Sequence, residues 1–269
     1  MVNNINFVSK FKNANIISII FFILSLFLIT FKGLNYGIDF KGGTLIELRT
    51  ESDINVSSIR DALNSMELGD VNVKKFGKEG DYLIKVEQKN TNNNNLIPEI
   101  KKKLSDNLDA DIDFRRVENV GPKVSTELLE SSVIAISLAL AAMLFYIWVR
   151  FEWQFSVGSI IALFHDVIIT LGIFSILSLE INLSIIAAVL TIVGYSMNDT
   201  VVIYDRIREN LYKYNRISIS DIANLSINET LARTIITSVT TLLALLSIYI
   251  LGGEILRGFS FAMILGVLI

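Results

Sequence analysis

Residues 190–208 read LTIVGYSMNDTVVIYDRIR, a stretch that begins as an apolar membrane helix and ends in a charged segment. Asn198 and Asp199 lie within the apolar part, about two helical turns before Asp205. An ionisable side chain inside a membrane span is costly, so its presence there indicates a functional site. The stretch therefore predicts a membrane protein that couples its work to protons or ions.

The composition of the chain supports the same class. Of its 269 residues 52% are apolar, and the mean hydropathy is +0.53, which is too high for an ordinary soluble domain. The chain has no cysteine, which excludes disulfides and thiolate metal sites. Its single histidine, His165, excludes a histidine-rich metal site, so we expect no cofactor. Nothing indicates nucleic-acid binding, because the basic residues fall at predicted membrane surfaces, where anionic lipid explains them.

Six apolar stretches are candidate membrane spans. The first, 16–31, could cover about 28 Å when counted from Asn13, and the sequence FKGLNYG after it offers no small-x-small site for signal-peptide cleavage. We therefore expect an uncleaved anchor. The sixth stretch holds about 15 residues, short of the roughly 20 needed to cross, so we expect a truncated last helix. The later spans are predicted at 132–149, 155–179, 181–203, 231–251 and 255–269.

The segment between the first two spans has the pattern of a folded domain. Its β-α-β-β-α-β order is the ferredoxin-like one, an antiparallel four-stranded sheet with two helices on one face. The strands are predicted at 44–50, 71–77, 81–88 and 111–120, the helices at 55–67 and 96–108, and a solvated loop at 92–95.

The predicted fold class is a membrane α-helical bundle of six spans, the last one truncated, with an α+β ferredoxin-like domain inserted between spans one and two. The predicted domains are 1–32 for the N-terminus and first helix, 33–128 for the inserted domain, and 129–269 for the remaining helices. Lysine and arginine concentrate at the N-terminus, at Arg150 and between the fourth and fifth spans, which makes that side cytoplasmic. The inserted domain is then on the opposite, extracytoplasmic side.

Three consecutive predicted spans each carry a polar stripe with an ionisable residue. On the fifth span, Arg233 shares an arc of about 120° with hydroxyl-bearing residues. The fourth span carries Asp199 at the edge of a similar arc, and the third carries Asp166 near its middle. Lipid disfavours such faces, so we expect them to meet another helix or an aqueous path. The residues predicted to form the polar face are Asn198, Thr237, Thr240 and Thr241.

Each of these residues also has a purely structural interpretation. Arg233 would be an interfacial anchor that reaches lipid phosphates. Asp199 would buttress the turn into the cytoplasmic helix, and Asp166 would hydrogen-bond a neighbouring Ser or Thr. Hydroxyl stripes are also typical of helix contacts, and we expect His165 to be a packed helix-contact residue. The run 205–209 is expected to be a solvated helix face with pairs three and four residues apart.

The functional interpretation is electrostatic. Movement of Arg233 toward or away from Asp199 would change whether that carboxylate holds a proton. One proton that crosses 100 mV releases about 2.3 kcal/mol, enough to bias a conformational cycle. Enzymatic alternatives lack their motifs. GIDFKGG at 37–43 does not have the spacing of a phosphate loop, and Tyr204–Asp205 lacks the second motif of an intramembrane aspartyl protease.

Six motifs stand out along the chain: GIDFKGGT at 37–44, VGP at 120–122, RFEWQF at 150–155, FHDV at 164–167, VGYSMNDTVVIYDRIREN at 193–210 and NETLARTIITSVTTL at 228–242. Together they resemble the SecF family, the smaller membrane subunit of the SecDF complex of bacterial protein export. They are also similar, more distantly, to the resistance-nodulation-division transporters. The resemblance covers essentially the whole chain, and the motif at 193–210 is long and specific.

The resemblance implies six membrane helices, a periplasmic ferredoxin-like domain and a place in the bacterial inner membrane. It implies SecD as partner, association with the SecYEG channel, and use of the proton motive force to pull a translocating preprotein outward. The family's proton-relay Asp and Arg fall on Asp199 and Arg233, and we add Asp166 from its mid-membrane position. Family members also carry further residues after the position of Ile269. The residues implied to couple the outer domain to the membrane part are Gly37, Asp39, Gly42 and Gly43.

Two other functions remain open at this point. The chain would be a scaffold that stabilises the translocon without carrying protons, or a subunit of a proton-driven small-molecule exporter. The exporter interpretation calls for two large outer domains and twelve spans in one chain, which this sequence does not contain. The scaffold differs from the coupled subunit in the response of export to an uncoupler.

Overall fold

The computed structural model describes residues 5–50, 53–66, 68–69, 71–75, 77, 79–86, 96–108, 112–151, 153–214 and 216–269. Backbone contacts divide the chain into two compact units, one formed by Tyr36–Val133 and the other by Met1–Asn35 with Ile134–Ile269. The elements in chain order are α1 (Phe11–Phe31), β1 (Asn35–Tyr36), α2 (Ile38–Lys41), β2 (Gly43–Thr50), α3 (Val56–Asn64), β3 (Val71–Lys75), β4 (Asp81–Val86), α4 (Leu96–Leu108), β5 (Ile112–Val120), α5 (Pro122–Arg150), α6 (Trp153–Ile176), β6 (Glu180–Ile181), α7 (Leu183–Lys213), α8 (Ile219–Leu251) and α9 (Gly253–Leu268).

The unit Tyr36–Val133 is built on a sheet of order β3-β4-β2-β5, in which every neighbouring pair is antiparallel. The pairing of β2 with β5 shifts register between Glu47 and Leu48, as a β-bulge does. The four strands and the helices α3 and α4 lie where the alternating and helical patterns place them. The predicted loop at 92–95 lies outside the described residues.

The core of this unit lies on one face of the sheet. Successive side chains of a strand point to opposite faces, so alternate residues of β2 and β4 turn toward the helices. Asn55 caps the start of α3, since its Oδ1 accepts a 3.1 Å hydrogen bond from the backbone N–H of Ser57. The fully buried side chains of the core include Ile46, Leu48, Ile59, Leu63, Tyr82, Ile84, Ile100 and Leu104.

The other unit is helical. Among the described residues five helices are long and apolar enough to cross a membrane: Val8–Phe31, Pro122–Arg150, Trp153–Ile176, Leu183–Lys213 and Ile219–Leu251. A shorter apolar helix, Leu256–Leu268, stands where the sixth span is predicted. The chain is therefore a multi-pass membrane protein with five candidate spans.

Small residues allow two helix pairs to approach closely. A Cβ added at Gly172 of α6 would lie 2.3 Å from the Cβ of Ser25 of α1. A Cβ added at Gly266 of α9 would lie 2.5 Å from Cγ1 of Ile192 of α7. Glycine at these positions therefore sets the spacing of α1 with α6 and of α7 with α9.

Three helices extend beyond the predicted spans. The fourth span was expected to end at 203, but α7 continues to Lys213; the fifth was expected from 231, but α8 begins at Ile219. Ser218 caps α8, since its Oγ accepts from the backbone N–H of Asp221 at 3.2 Å. α5 begins at Pro122, so the predicted domain boundary at 128 falls inside a helix. Hydropathy reports where the apolar run ends, whereas backbone hydrogen bonding continues through the polar residues that follow.

Candidate functional site

Asp199 and Arg233 lie on adjacent helices. Asp199 on α7 is half-buried, and the exposed Asn198 beside it donates from Nδ2 to Asp199 Oδ1 at 3.3 Å. Arg233 on α8 is exposed, and its charge acts on Asp199. No direct ion pair joins the two in the part of the chain that the structure describes. The structure thus places the predicted acid and base within electrostatic range but out of direct contact.

Two threonines of the α8 stripe donate their hydroxyl hydrogens within their own helix. Thr237 Oγ1 donates to the carbonyl of Thr234 at 2.9 Å, and Thr240 Oγ1 donates to that of Ile236 at 2.8 Å. Thr240 is exposed, while Thr237 and Thr241 are half-buried. The hydroxyl hydrogens of Thr237 and Thr240 are therefore engaged within α8, on the face that also carries Arg233.

Asp166 of α6 belongs to a separate polar cluster. Its Oδ2 accepts a 2.7 Å hydrogen bond from Oγ of Ser196 of α7, and its Oδ1 lies 2.9 Å from Nδ1 of His165. Only 13% of its side chain is exposed. Ser196 stands three residues before Asp199 on the same helix. The structure therefore connects Asp166 to α7, close to Asp199 but not in contact with it.

His165 packs against a neighbouring helix, as the sequence predicts, and it also contacts Asp166. Its ring stacks parallel to Phe22 of α1, with centroids 6.5 Å apart and an interplanar angle of 6°. Its Nδ1 faces Asp166, while its Nε2 is buried without a hydrogen-bond partner. The signal that could have identified its role was its position directly beside a mid-membrane aspartate.

A second cluster ties α7 to α8 beyond Asp199 and Arg233. Arg206 Nε donates to Glu229 Oε2 at 2.6 Å, and the fully buried Asn210 donates from Nδ2 to the same oxygen at 2.8 Å. Asn210 also donates to Ser226 Oγ at 3.0 Å. The predicted pairs three residues apart are present, as in Arg206–Glu209, but the segment is also an interhelical clamp rather than only a solvated face. The helical periodicity of the sequence could not reveal Glu229 as the partner of Arg206, because Glu229 lies on another helix.

The turn between α5 and α6 is fastened to α7 by charged groups. Arg150 Nη2 donates to Asp205 Oδ1 at 3.0 Å, and Arg208 donates to the backbone carbonyl of Arg150 at 3.2 Å. Both guanidinium groups lie over the ring of Phe151, at 5.1 and 5.4 Å from its centroid. Arg150 and Phe151 are thus held against the C-terminal part of α7.

Two asparagines of α8 bind the backbone of Ile5 and Phe7, shortly before α1. Asn228 accepts from the backbone N–H of Ile5 and donates to its carbonyl, both at 2.9 Å, and Asn224 accepts from the N–H of Phe7 at 2.8 Å. Asn228 thereby engages both backbone groups of Ile5, and Asn224 engages the backbone N–H of Phe7. The helix that carries Arg233 is therefore also anchored to the N-terminal segment.

In the unit Tyr36–Val133, the glycine-rich motif forms α2 and the turn into β2. Gly37 caps α2, and Gly42 and Gly43 follow it with φ of +78° and +132°, values that side chains other than glycine rarely adopt. A Cβ at Gly42 would also lie 3.3 Å from the carbonyl oxygen of Val120. The charge of Asp39 acts on Lys85 of β4. The pair of glycines is thus required by backbone geometry.

No group of three or more His, Cys, Asp or Glu residues that could hold a metal occurs among the described residues.

Comparison with known proteins identifies the family. The family model "Protein export membrane protein SecD/SecF, C-terminal" matches residues 100–269, and the model "SecD/SecF GG Motif" matches residues 27–54. The chain is 46% identical over 264 residues to the protein translocase subunit SecF of Rickettsia bellii (strain OSU 85-389), covering 98% of this chain and 87% of that protein. The chain belongs to the SecF family.

Other SecF relatives and SecDF structures agree with this assignment. The SecF of Cereibacter sphaeroides is 44% identical over 246 residues, which cover 88% of this chain and 76% of that protein. The crystal structure of SecDF from Thermus thermophilus, described as a translocon-associated membrane protein, matches with a TM-score of 0.90 and 34% identity. That match covers 100% of this chain but only 37% of the longer SecDF chain. These relatives are named as a translocase subunit, a transport component rather than an enzyme.

Proposed function

We propose that the chain is a proton-motive-force-coupled accessory subunit of the Sec translocase that promotes late-stage protein export together with SecD. Membership of the SecF family supports the export role. The observation that carries the coupling is the arrangement of Asp199 and Arg233, an acid and a base on adjacent candidate spans, within range of each other's charge but without a direct ion pair.

The coupling follows from electrostatics in a medium of low polarity. The interaction between two charges strengthens as the surroundings lose water, so a small change in their separation has a large effect on the carboxylate. When Arg233 approaches, the charged form of Asp199 is favoured; when it withdraws, the carboxylate takes up a proton. Exposure of the site to one side of the membrane and then the other would convert proton flow into movement of helices.

The exposed side of α7 and α8 is where a partner would complete this site. Asn198, Arg233 and Thr240 are exposed in this chain, and exposed polar groups at membrane depth need polar neighbours. SecD is the proposed neighbour, and Thr237 and Thr241 extend the same face. Asp166 is proposed as a third proton-carrying group, set back from this face on α6.

The proposed architecture adds to the five candidate spans. We propose α9 as a sixth membrane helix, and the unit Tyr36–Val133 as a ferredoxin-like domain, a proposal that the strand order β3-β4-β2-β5 supports. Positive charge in the short loops favours a periplasmic position for that domain in the bacterial inner membrane. There it would act on a preprotein that leaves SecYEG, with Gly37, Asp39, Gly42 and Gly43 as the joint that transmits movement.

The test combines Asp199→Asn and Arg233→Met with an export assay, with and without an uncoupler. The coupled subunit predicts loss of the proton-dependent late phase in each variant, while the protein still co-purifies with SecD. A scaffold predicts normal export in both variants and no difference with the uncoupler. A small-molecule exporter predicts unchanged preprotein export and altered efflux. Ile235→Val, an exposed position on the opposite side of α8 from Arg233, is the control for local disturbance.

A further inference from the structure

The cluster of His165, Asp166 and Ser196 carries an inference of its own. Asp166 Oδ1 lies 2.9 Å from Nδ1 of His165, and Asp166 Oδ2 accepts from Ser196 Oγ at 2.7 Å. Each carboxylate oxygen of Asp166 therefore has a polar contact, Oδ1 with His165 of the same helix and Oδ2 with Ser196 of α7. A carboxylate with both oxygens engaged has a fixed orientation.

We propose that His165 is a positioning residue: its Nδ1–H orients the Asp166 carboxylate so that the second oxygen meets Ser196 and joins α6 to α7. This proposal rests on the proposed function, because it assigns a role to the third candidate proton carrier. An ionised carboxylate has no hydrogen to donate, so the hydrogen of this contact is on Nδ1. The ring itself is held by its parallel contact with Phe22 of α1.

The arrangement makes the link between α6 and α7 sensitive to a proton. A charged Asp166 accepts from both His165 and Ser196. Once Asp166 takes up a proton on Oδ2, that oxygen becomes a donor and its bond with Ser196 reverses, so Ser196 Oγ accepts and has to turn its own hydrogen to another acceptor. Ser196 stands three residues before Asp199, so a change of this bond acts on the helix turn that carries the proposed relay.

The surroundings of His165 supply few other charges. Residues 13–31, which form the facing part of α1, contain no ionisable side chain. From α7 the facing group is the Ser196 hydroxyl, and Ile269, just after α9, lines the same cavity of about 390 Å³ as His165 with an apolar side chain. Asp166 is the carboxylate in direct contact with the ring among the described residues.

Two substitutions of His165 distinguish the contribution of Nδ1 from that of Nε2. The amide nitrogen of Asn occupies about the position of Nδ1 of a histidine, whereas that of Gln occupies about the position of Nε2. We expect His165→Asn to retain proton-dependent export. We expect His165→Gln to lower it about tenfold, the loss that corresponds to one hydrogen bond to a charged group. Equal export in the two variants, or better export with Gln, would overturn the proposal. Co-purification with SecD shows that each variant is folded.

A spectroscopic measurement tests the same contact without any export assay. Because the chain has one histidine, ¹⁵N-labelled histidine gives one residue's signals in lipid bilayers, provided that the purification tag contains none. We expect a hydrogen on Nδ1 of the wild type and its loss in Asp166→Ala, with Ser196→Ala unchanged. An Nδ1 without hydrogen in the wild type contradicts the proposal. Export that ignores an uncoupler would instead contradict the proposed function and leave the Nδ1 result standing.

Discussion

Arg206 of α7 donates from Nε to Oε2 of Glu229 of α8 across 2.6 Å, so the two helices that carry Asp199 and Arg233 are fastened to each other. Glu229 stands four residues, about one helical turn, before Arg233. Any change in the separation of Asp199 and Arg233 has to pivot about this clamp or break it.

The first prediction concerns that clamp. Glu229→Gln keeps an oxygen for the Asn210 amide but removes the ion pair with Arg206, so α7 and α8 should separate more easily. We expect a lower melting temperature in detergent and weaker proton-dependent export. Glu209→Gln removes the other partner of Arg206. The Glu209 side chain is 63% exposed, so this substitution should have a smaller effect on the melting temperature and on export. Equal effects of the two substitutions would show that the clamp does not hold the helices.

The second prediction concerns the contact of α1 with α6. Gly172→Ala would bring its Cβ to 2.3 Å from the Cβ of Ser25, so the helices must shift. We expect a loss of about 1–3 kcal/mol in unfolding free energy, the usual cost of an overpacked contact. Gly194→Ala on α7 is the matched control, since nothing lies within 4 Å of a Cβ there. Adding Ser25→Gly to Gly172→Ala should restore part of the lost stability. If it restores none, the strain does not arise from the contact with Ser25.

The third prediction concerns Lys85 of the sheet unit. Burial, with a smaller effect of Lys74, lowers the pKa of Lys85 from 10.5 to about 8, while Asp39 opposes the shift. Between about pH 8 and 10.5 the folded state then binds fewer protons than the unfolded chain, so its stability rises with pH across this window. The charged form costs about 1–2 kcal/mol below pH 8, after allowance for partial solvent screening.

Competitive acylation of lysines at a series of pH values, read by mass spectrometry, measures this directly. Lys85 should become reactive near pH 8, with Lys102 on the exposed side of α4 as internal reference. Lys74→Gln should raise the pKa of Lys85 and Asp39→Asn should lower it. A Lys85 that reacts only near pH 10.5 would refute the burial argument.

The fourth prediction concerns orientation. The chain has no native cysteine, so a single introduced thiol reports its own side of the membrane. In intact cells, Lys102→Cys in the sheet unit should react with an impermeant reagent, and Tyr212→Cys at the end of α7 should not. Both positions are exposed, so access within the protein does not limit the reaction. The reversed pattern would overturn the orientation inferred from basic loops.

The sheet unit could be predicted from the sequence because its signals are local. Alternation of Ile46 and Leu48 marks a strand, Asn55 marks a helix start, and the order of elements narrows the possible topologies. The membrane helices were predicted less well at their ends. Ser218 and Pro122 start α8 and α5 well before the apolar runs that hydropathy detects.

The candidate site was only partly predictable for the same reason. Asp199, Arg233 and Asp166 could be proposed from the sequence because a charge in an apolar run is visible in one dimension. The contacts of Ser196 with Asp166 and of Glu229 with Arg206 depend on how two helices face each other, which one sequence does not record. His165 was set aside because a lone histidine carries no pattern, although its ring nitrogen faces the aspartate next to it.

The most direct measurement of the central claim is proton flux in liposomes that contain the chain with SecD, under an imposed membrane potential. The account predicts that Asp199→Asn and Arg233→Met each abolish the flux of the wild-type complex, and that Ile235→Val, on the opposite side of α8 from Arg233, leaves it intact. Wild-type flux in the Asp199→Asn complex would contradict the account, because protons would then cross without the acid on α7.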